Sequence, residues 1–148
     1  MTLIEQRNAD YVAHFKSLMR QEHLATGCRV FDVHALIRKS LCGHPSHHFK
    51  EFSSCYQVVC GILRRRRRDA CAGMAPDRGL TSLRTLYWSE LADQVEEALE
   101  RNSGSIASAL EWVLNHRSPS SFYITEDYAM RLVRPLIRIS RKTQFEML

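Results

Sequence analysis

The chain has 148 residues, of which 45% are hydrophobic and 25% charged, and its formal net charge is +5. That length suits one domain or two very small ones, and that composition excludes a disordered chain. Arginine supplies 17 of the 21 basic residues. Because the planar guanidinium binds phosphate and carboxylate through paired hydrogen bonds, this balance mildly favours recognition of anions.

The cysteines and the hydropathy pattern indicate a cellular compartment. There are five cysteines, an odd number, and the N-terminus shows no signal-peptide pattern. A disulfide framework is therefore not expected, and the thiols should be free. No apolar run approaches the roughly 18 residues that a membrane span needs. We expect a soluble, cytoplasmic protein that does not contact membranes.

The first two apolar patterns predict helices with identifiable N-caps. Thr2 begins a helix expected at about 3–24, since Glu5 three residues later completes a capping box. Asp32 begins a second helix, expected at about 33–42, because its carboxylate can accept hydrogen bonds from free backbone amides.

A third helix is predicted where apolar residues recur at helical spacing, at Cys55, Val58, Val59, Ile62 and Leu63. It continues into five consecutive arginines, Arg64–Arg68. The stretch 69–81 that follows contains two glycines and a proline, which predicts a linker.

The second half of the chain repeats this order. Apolar positions from Leu83 to Leu99 predict a helix with an acidic outer face, and Ser105 caps the next one. Thr125 caps the last helix. Arginines occupy the side of that helix opposite its apolar stripe, at Arg131, Arg134, Arg138 and Arg141.

An overlay of the two halves favours an internal duplication. At an offset of 74 residues Pro45 falls on Pro119, Val59 falls on Val133, and the arginine run falls on residues 138–142. Coincidental matching of amphipathic helices is the alternative. The sequence thus predicts an all-α fold with two similar three-helix units packed into one compact helical body, divided as 1–68, a linker at 69–81, and 82–148.

The leading functional hypothesis is non-enzymatic binding of nucleic acid, in particular duplex DNA. Each guanidinium that neutralises a phosphate releases counterions, and a basic third helix is similar to the helix-turn-helix arrangement, although residues 116–124 make a longer connection than that motif has. The candidate contacts are Arg64, Arg65, Arg66, Arg67, Arg68, Arg131, Arg134, Arg138, Arg141 and Lys142. For the arginines of the last helix, a solvated helix face is an equally good interpretation.

A competing hypothesis is a protein-interaction or assembly module. In it the arginine run pairs, within the chain or in a second copy, with acidic residues of the fourth helix, Glu90, Asp93, Glu96, Glu97 and Glu100. Exposed ion pairs contribute only about 0 to 1 kcal/mol each, so apolar anchors are needed. Tyr87, Trp88 and Trp112 are available, and of the two tryptophans we expect Trp112 to be the one in the core.

Metal binding and catalysis have weaker support. Thiol and imidazole ligands for zinc occur at Cys42, His44, His47, His48, Cys55 and Cys60. Their spacing is irregular, so we expect buried thiols, solvated histidines and no cofactor. The chain has no glycine-rich phosphate loop, GxSxG or HExxH motif, and we expect no enzymatic activity.

One segment resembles known sequences. Residues 118–133, SPSSFYITEDYAMRLV, are similar to small bacterial open reading frames associated with mobile elements. The resemblance covers a limited part of the chain and implies no particular activity.

Overall fold

The computed structural model describes residues 1–26, 32–73, 82–102 and 104–146, with side chains at 1–25, 32–73, 82–102 and 104–137. This part of the chain confirms the all-α prediction. Its helices are α1 (Leu3–Thr26), α2 (Val33–Leu41), α3 (Phe52–Cys71), α4 (Leu83–Arg101), α5 (Ile106–His116) and α6 (Glu126–Glu146). Across these described ranges, none of the helices is long and apolar enough to cross a bilayer.

The four helices with a predicted N-cap, α1, α2, α5 and α6, begin where the sequence predicts because polar side chains cap them. Thr2 and Glu5 form the reciprocal capping box, with the Glu5 amide donating to Thr2 Oγ1 over 3.1 Å and the Thr2 amide donating to Glu5 Oε2 over 2.9 Å. The other predicted caps accept from backbone amides in the same way, at Asp32, Ser105 and Thr125.

The helices group into two compact units. Unit 1 comprises Met1–His44 and Ile124–Leu148 and contains α1, α2 and α6, and unit 2 comprises Pro45–Tyr123 and contains α3, α4 and α5. This grouping differs from the contiguous division into 1–68 and 82–148. The third helix of each half joins the first two helices of the other half. Periodicity could not reveal this, because α3 and α6 bury similar small apolar stripes.

The predicted linker at 69–81 is partly helical. α3 continues to Cys71, so the first three linker residues belong to the helix. Gly73 follows with a φ of 73°, the left-handed conformation that glycine adopts without steric cost. The remainder of the predicted linker, 74–81, lies outside the described residues.

Unit 1 is held by aromatic burial and one buried hydroxyl pair. Tyr11 and Phe15 of α1 have no exposed surface, and Ile37 of α2 and Val133 of α6 are also buried. Full burial of such a side chain contributes about 1.5 to 3 kcal/mol. The Ser40 hydroxyl donates to the Ile37 carbonyl and lies 2.6 Å from the Tyr11 hydroxyl. Tyr11 must therefore be the donor to Ser40, which satisfies both groups.

Unit 2 has its core at the meeting of α3, α4 and α5. The fully buried side chains are Cys55 and Val59 of α3, Leu91 and Val95 of α4, and Leu110 and Val113 of α5. Trp88 packs against this cluster, whereas Trp112 is 39% exposed and stacks on His116. The expectation that Trp112 would be the core tryptophan is wrong, because the buried stripe of α5 passes through Leu110 and Val113 and leaves Trp112 beside it.

Two glycines should respond oppositely to alanine. A Cβ at Gly43 would lie 2.3 Å from His14 Nε2, so the ring must turn away, and we expect Gly43→Ala to cost about 0.5 to 1.5 kcal/mol, as for a side chain forced off its rotamer. A Cβ at Gly61 would meet nothing within 4 Å. Since glycine within a helix costs about 0.5 to 1 kcal/mol relative to alanine, Gly61→Ala should stabilise by that amount. Urea unfolding measures the free energy of unfolding of both variants, provided that their m-values are unchanged. If both substitutions changed that free energy equally and in the same direction, the packing described would be contradicted.

Candidate functional site

The arginine run lies on the last three turns of α3, where successive side chains step around the helix by about 100°. Arg66 is the member that points inward. Its side chain is 10% exposed, whereas Arg64, Arg65, Arg67 and Arg68 are exposed. The helix therefore divides the run into one buried and four solvent-facing guanidinium groups.

Arg66 binds three consecutive turns of α4. Its Nη1 lies 2.8 Å from Asp93 Oδ1 and 3.2 Å from Glu96 Oε1. Its Nη2 donates to the carbonyl and the hydroxyl of Ser89, over 3.1 and 3.0 Å. The sequence offers this arginine two partners, phosphate in the leading hypothesis and the acidic fourth helix in the competing one. In the structure its terminal nitrogens bind α4, because the 100° step turns position 66 toward the acidic face of that helix.

The other arginines of the run face solvent. Among described residues, Arg64, Arg65 and Arg67 form no salt bridge with a carboxylate. Arg68 Nε is 4.0 Å from Asp69 Oδ1, with its side chain 76% exposed, a geometry worth little in water. Four guanidinium groups within five residues thus concentrate positive charge at the carboxyl end of α3.

The remaining predicted contacts belong to α6 in unit 1. Arg131 and Arg134 are exposed. The side chains of Arg138, Arg141 and Lys142 lie outside the described residues. The structure thus places part of the predicted set on each unit.

A second feature of α4 is a carboxylate that holds the connection between α5 and α6. Glu90 accepts hydrogen bonds from the Ser120 amide, the Ser120 hydroxyl and the Tyr123 hydroxyl. Tyr123 has a φ of 53°, in the left-handed region that costs a non-glycine residue roughly 1 kcal/mol. Burial and the bond to Glu90 raise the pKa of Tyr123 to about 12. Its hydroxyl therefore stays protonated and keeps donating to Glu90 at neutral pH.

His48 is buried beside this connection and is the centre of a hydrogen-bonded chain. Its Nε2 is 2.6 Å from Gln94 Oε1, and its Nδ1 is 2.8 Å from the Tyr87 hydroxyl. Gln94 Nε2 donates to the Ser118 carbonyl, which fixes the orientation of the amide. Nε2 of His48 therefore carries the proton, and Nδ1 accepts from Tyr87. Burial lowers the pKa of His48, so the ring is neutral.

These contacts bear on the zinc candidates. Cys55 lies fully buried in the core of unit 2, where burial raises the pKa of its thiol to about 11 and disfavours the thiolate that zinc needs. The Cys42 thiol donates to the Arg38 carbonyl, and the His47 ring packs against Phe49 at an interplanar angle of 47°. Across the described ranges, no group of three or more His, Cys, Asp or Glu side chains could hold a metal ion, and none forms from Cys42, His44, His47 and Cys55.

The hydrogen-bond networks of Glu90 and His48 were not predicted from the sequence. One signal was available, since the overlay at 74 residues pairs His48 with Phe122, and both are 3% exposed. A histidine that matches an aromatic core residue is expected to be buried and hydrogen-bonded. No comparable signal marked Glu90, whose partners come from a loop.

No protein-family model, no curated protein and no solved structure matches this chain.

Removing Arg66 should destabilise the fold, whereas removing its neighbour should not. Hydrogen bonds to charged groups contribute about 1.5 to 3 kcal/mol, but Asp93 and Glu96 are partly solvated, so we expect Arg66→Ala to cost about 1 to 3 kcal/mol. Arg67→Ala has the same charge change on an exposed side chain and should stay within about 0.5 kcal/mol. Chemical unfolding of both variants measures this, and equal costs would contradict the anchoring role.

His48 should make stability depend on pH. Because its pKa is lowered in the folded state, the unfolded chain binds more protons at mildly acidic pH, so stability is complete above about pH 6.5 and falls below it. We expect His48→Gln to flatten the decline of unfolding free energy between about pH 6.5 and 5. The exposed His116→Gln variant should keep the wild-type decline, and an unchanged slope in His48→Gln would contradict the assignment.

Proposed function

We propose that this chain is a non-enzymatic nucleic-acid-binding protein that contacts the phosphates of duplex DNA through exposed arginines. The observation that carries the proposal is the group of four solvent-facing guanidinium groups on a helix that is fixed from its opposite side, Arg64, Arg65, Arg67 and Arg68. Guanidinium is the side chain best suited to binding phosphate oxygens in pairs.

The anchor at Arg66 supports this proposal. Five consecutive arginines repel one another, and an unattached helix end with this composition would fray. The bonds from Arg66 to Asp93 and Glu96 oppose that repulsion and hold the last turns of α3 on α4. The exposed arginines are consequently ordered before a ligand arrives, which lowers the entropy cost of binding.

An internal duplication with exchanged third helices belongs to the same proposal. Each unit has a long helix, a short helix and a basic third helix. Buried positions agree between the halves at the offset of 74, in the pairs Cys55 and Ala129, Val59 and Val133, Pro45 and Pro119, and His48 and Phe122. Duplication would explain why the arginine run of α3 falls on residues 138–142 of α6, which include Arg138, Arg141 and Lys142. Coincidence of amphipathic patterns would not explain the matched burial of the two prolines.

The proposal extends to the cellular setting. A nucleic-acid-binding protein with free thiols suits the cytoplasm, since reducing conditions keep cysteines unpaired. A bacterial mobile element is the setting implied by the resemblance of residues 118–133.

A second candidate function, a protein-interaction or assembly module, has its own supporting observation. Unit 2 exposes large apolar side chains at Phe52, Tyr56, Val58, Leu83, Leu86 and Trp112. Phe52 and Tyr56 stack with their ring centroids 5.5 Å apart, and adjoining exposed apolar side chains are typical of interaction surfaces. This function requires no contact between arginine and phosphate.

Binding to duplex DNA should weaken steeply with salt and depend on the α3 arginines. In an anisotropy titration with a random-sequence duplex, we expect replacement of Arg64, Arg65, Arg67 and Arg68 by alanine to reduce the slope of log K against log salt by about 3 to 4, since each phosphate contact contributes about 0.9.

The matched control removes four exposed charges elsewhere, by alanine at Lys16, Arg20, Lys39 and Arg101. It should lose little of the slope. An absence of binding at low salt, or equal losses in both variants, would show that the α3 cluster is not a phosphate site.

A further inference from the structure

An open cavity of about 410 Å³ lies between α3 and α4 in unit 2. The two helices run in the same direction here, since early residues of α3 face early residues of α4 across the cavity, and Arg66 further along reaches Ser89, Asp93 and Glu96. The cavity is therefore a trough parallel to both helices. Its lining includes Val58, Gly61, Ile62, Arg65, Thr85 and Trp88.

The trough is apolar and open to solvent. Ile62 forms its buried floor, whereas Val58 on its wall is 37% exposed. Trp88 packs against the core of unit 2 and meets the Tyr87 ring edge to face at 5.3 Å, so its position is fixed. Exposed apolar surface of this kind is unfavourable in water unless something covers it. The volume falls within the range of about 300 to 1,000 Å³ that is usual for binding pockets.

Gly61 is a second observation that points to an occupant. A glycine inside a helix is destabilising by about 0.5 to 1 kcal/mol relative to alanine. A Cβ at this position would meet nothing within 4 Å, so the packing of the chain itself does not require glycine. Glycine on the wall of a trough does allow another backbone to approach α3 closely.

The rim of the trough is positively charged. Arg65 lines it directly, and Arg68 lies one turn further along the same side of α3. Arg84, which is exposed, lies one turn before Trp88 on α4. The acidic residues of α4 that follow the lining residue Ser89 have other partners: Glu90 accepts hydrogen bonds from Ser120 and Tyr123, and Asp93 and Glu96 are bound to Arg66. An occupant with carboxylates at its edges would therefore be attracted, and a basic one would be repelled.

We propose that this trough binds an acidic amphipathic helix of a partner protein. Its apolar side chains would enter between Val58 and Trp88, its backbone would pass over Gly61, and its carboxylates would pair with Arg65 and Arg68. A helix fits better than a small molecule because the site is an elongated groove between two helices, the shape into which amphipathic helices dock. It fits better than nucleic acid because Ile62 on the floor and Val58 on the wall are aliphatic and offer no hydrogen bond to a phosphate or a base edge. This inference does not depend on the proposed DNA binding.

A displayed library of helical peptides tests the chemistry of the occupant. The peptides would be about 18 residues long, since shorter helices are marginal in water, with charge and apolar positions randomised. Peptides would be selected for binding to the intact chain, and those that also bind the Gly61→Leu variant would be removed. The remaining sequences should have bulky apolar residues at spacings of three and four, with Asp or Glu beside them. Enrichment of basic peptides, of sequences without this pattern, or of none would overturn the proposal.

Variants of the chain then locate the binding of one enriched peptide, measured by fluorescence anisotropy. Gly61→Leu fills the trough, and Arg65→Glu reverses the charge of its rim, so each should weaken binding at least tenfold. Ala70→Leu and Arg67→Glu make comparable changes at exposed positions on the side of α3 opposite the trough and should have less than a threefold effect.

The same variants separate this inference from the proposed function. Gly61→Leu retains every arginine, so its affinity for duplex DNA should be unchanged while peptide binding is lost. If Gly61→Leu, shown to be folded by circular dichroism and thermal unfolding, binds the peptide as tightly as the wild type, the trough is not the site. Failure of DNA binding in the wild type would leave the peptide result standing.

Discussion

The guanidinium of Arg66 spans Ser89, Asp93 and Glu96 on α4 and thereby sets the rotation of α3 about its own axis. That rotation has consequences on every side of the helix. The stripe that contains Cys55 and Val59 faces the core, and the arginines on either side of Arg66 face solvent. The trough beside Gly61 depends on the same contact. Arg66 holds α3 close to α4, and about one and a half turns earlier Gly61, which has no side chain, leaves space between the two helices.

Local features of the chain were predictable because they depend on neighbouring residues. Thr2, Asp32, Ser105 and Thr125 cap helices by bonds to amides two or three positions away, so the residue type and the following apolar period were sufficient. Five consecutive residues at 100° steps cover every side of a helix, so at least one arginine of the run has to face inward. Which of the five it would be required the position of α4, which no local pattern encodes.

Long-range features were less accessible. The apolar stripes of α3 and α6 match each other in size and spacing, so either helix could pack on α1 and α2 or on α4 and α5. For this reason the grouping of α1, α2 and α6 was not predicted. The Glu90 cluster joins a helix to a loop more than 29 residues away, through Ser120 and Tyr123. Such a bond leaves no periodic trace in the sequence. Trp112 was misplaced because its size suggested burial, whereas the smaller Leu110 and Val113 define the buried side of α5.

The discontinuous make-up of unit 1 affects how the protein is made. Unit 2 is one unbroken stretch, Pro45–Tyr123, whereas unit 1 needs both Met1–His44 and Ile124–Leu148. During synthesis α1 and α2 leave the ribosome long before α6, so their apolar surfaces, including Tyr11 and Phe15, stay uncovered until a helix that follows unit 2 in the chain has been made. Unit 2 can fold first, because it is one unbroken stretch of chain. Once folded, it shortens the flexible chain between the two segments of unit 1, which lowers the entropy cost of bringing them together. A chaperone would therefore be most useful during the period in which α1 and α2 have been made and α6 has not.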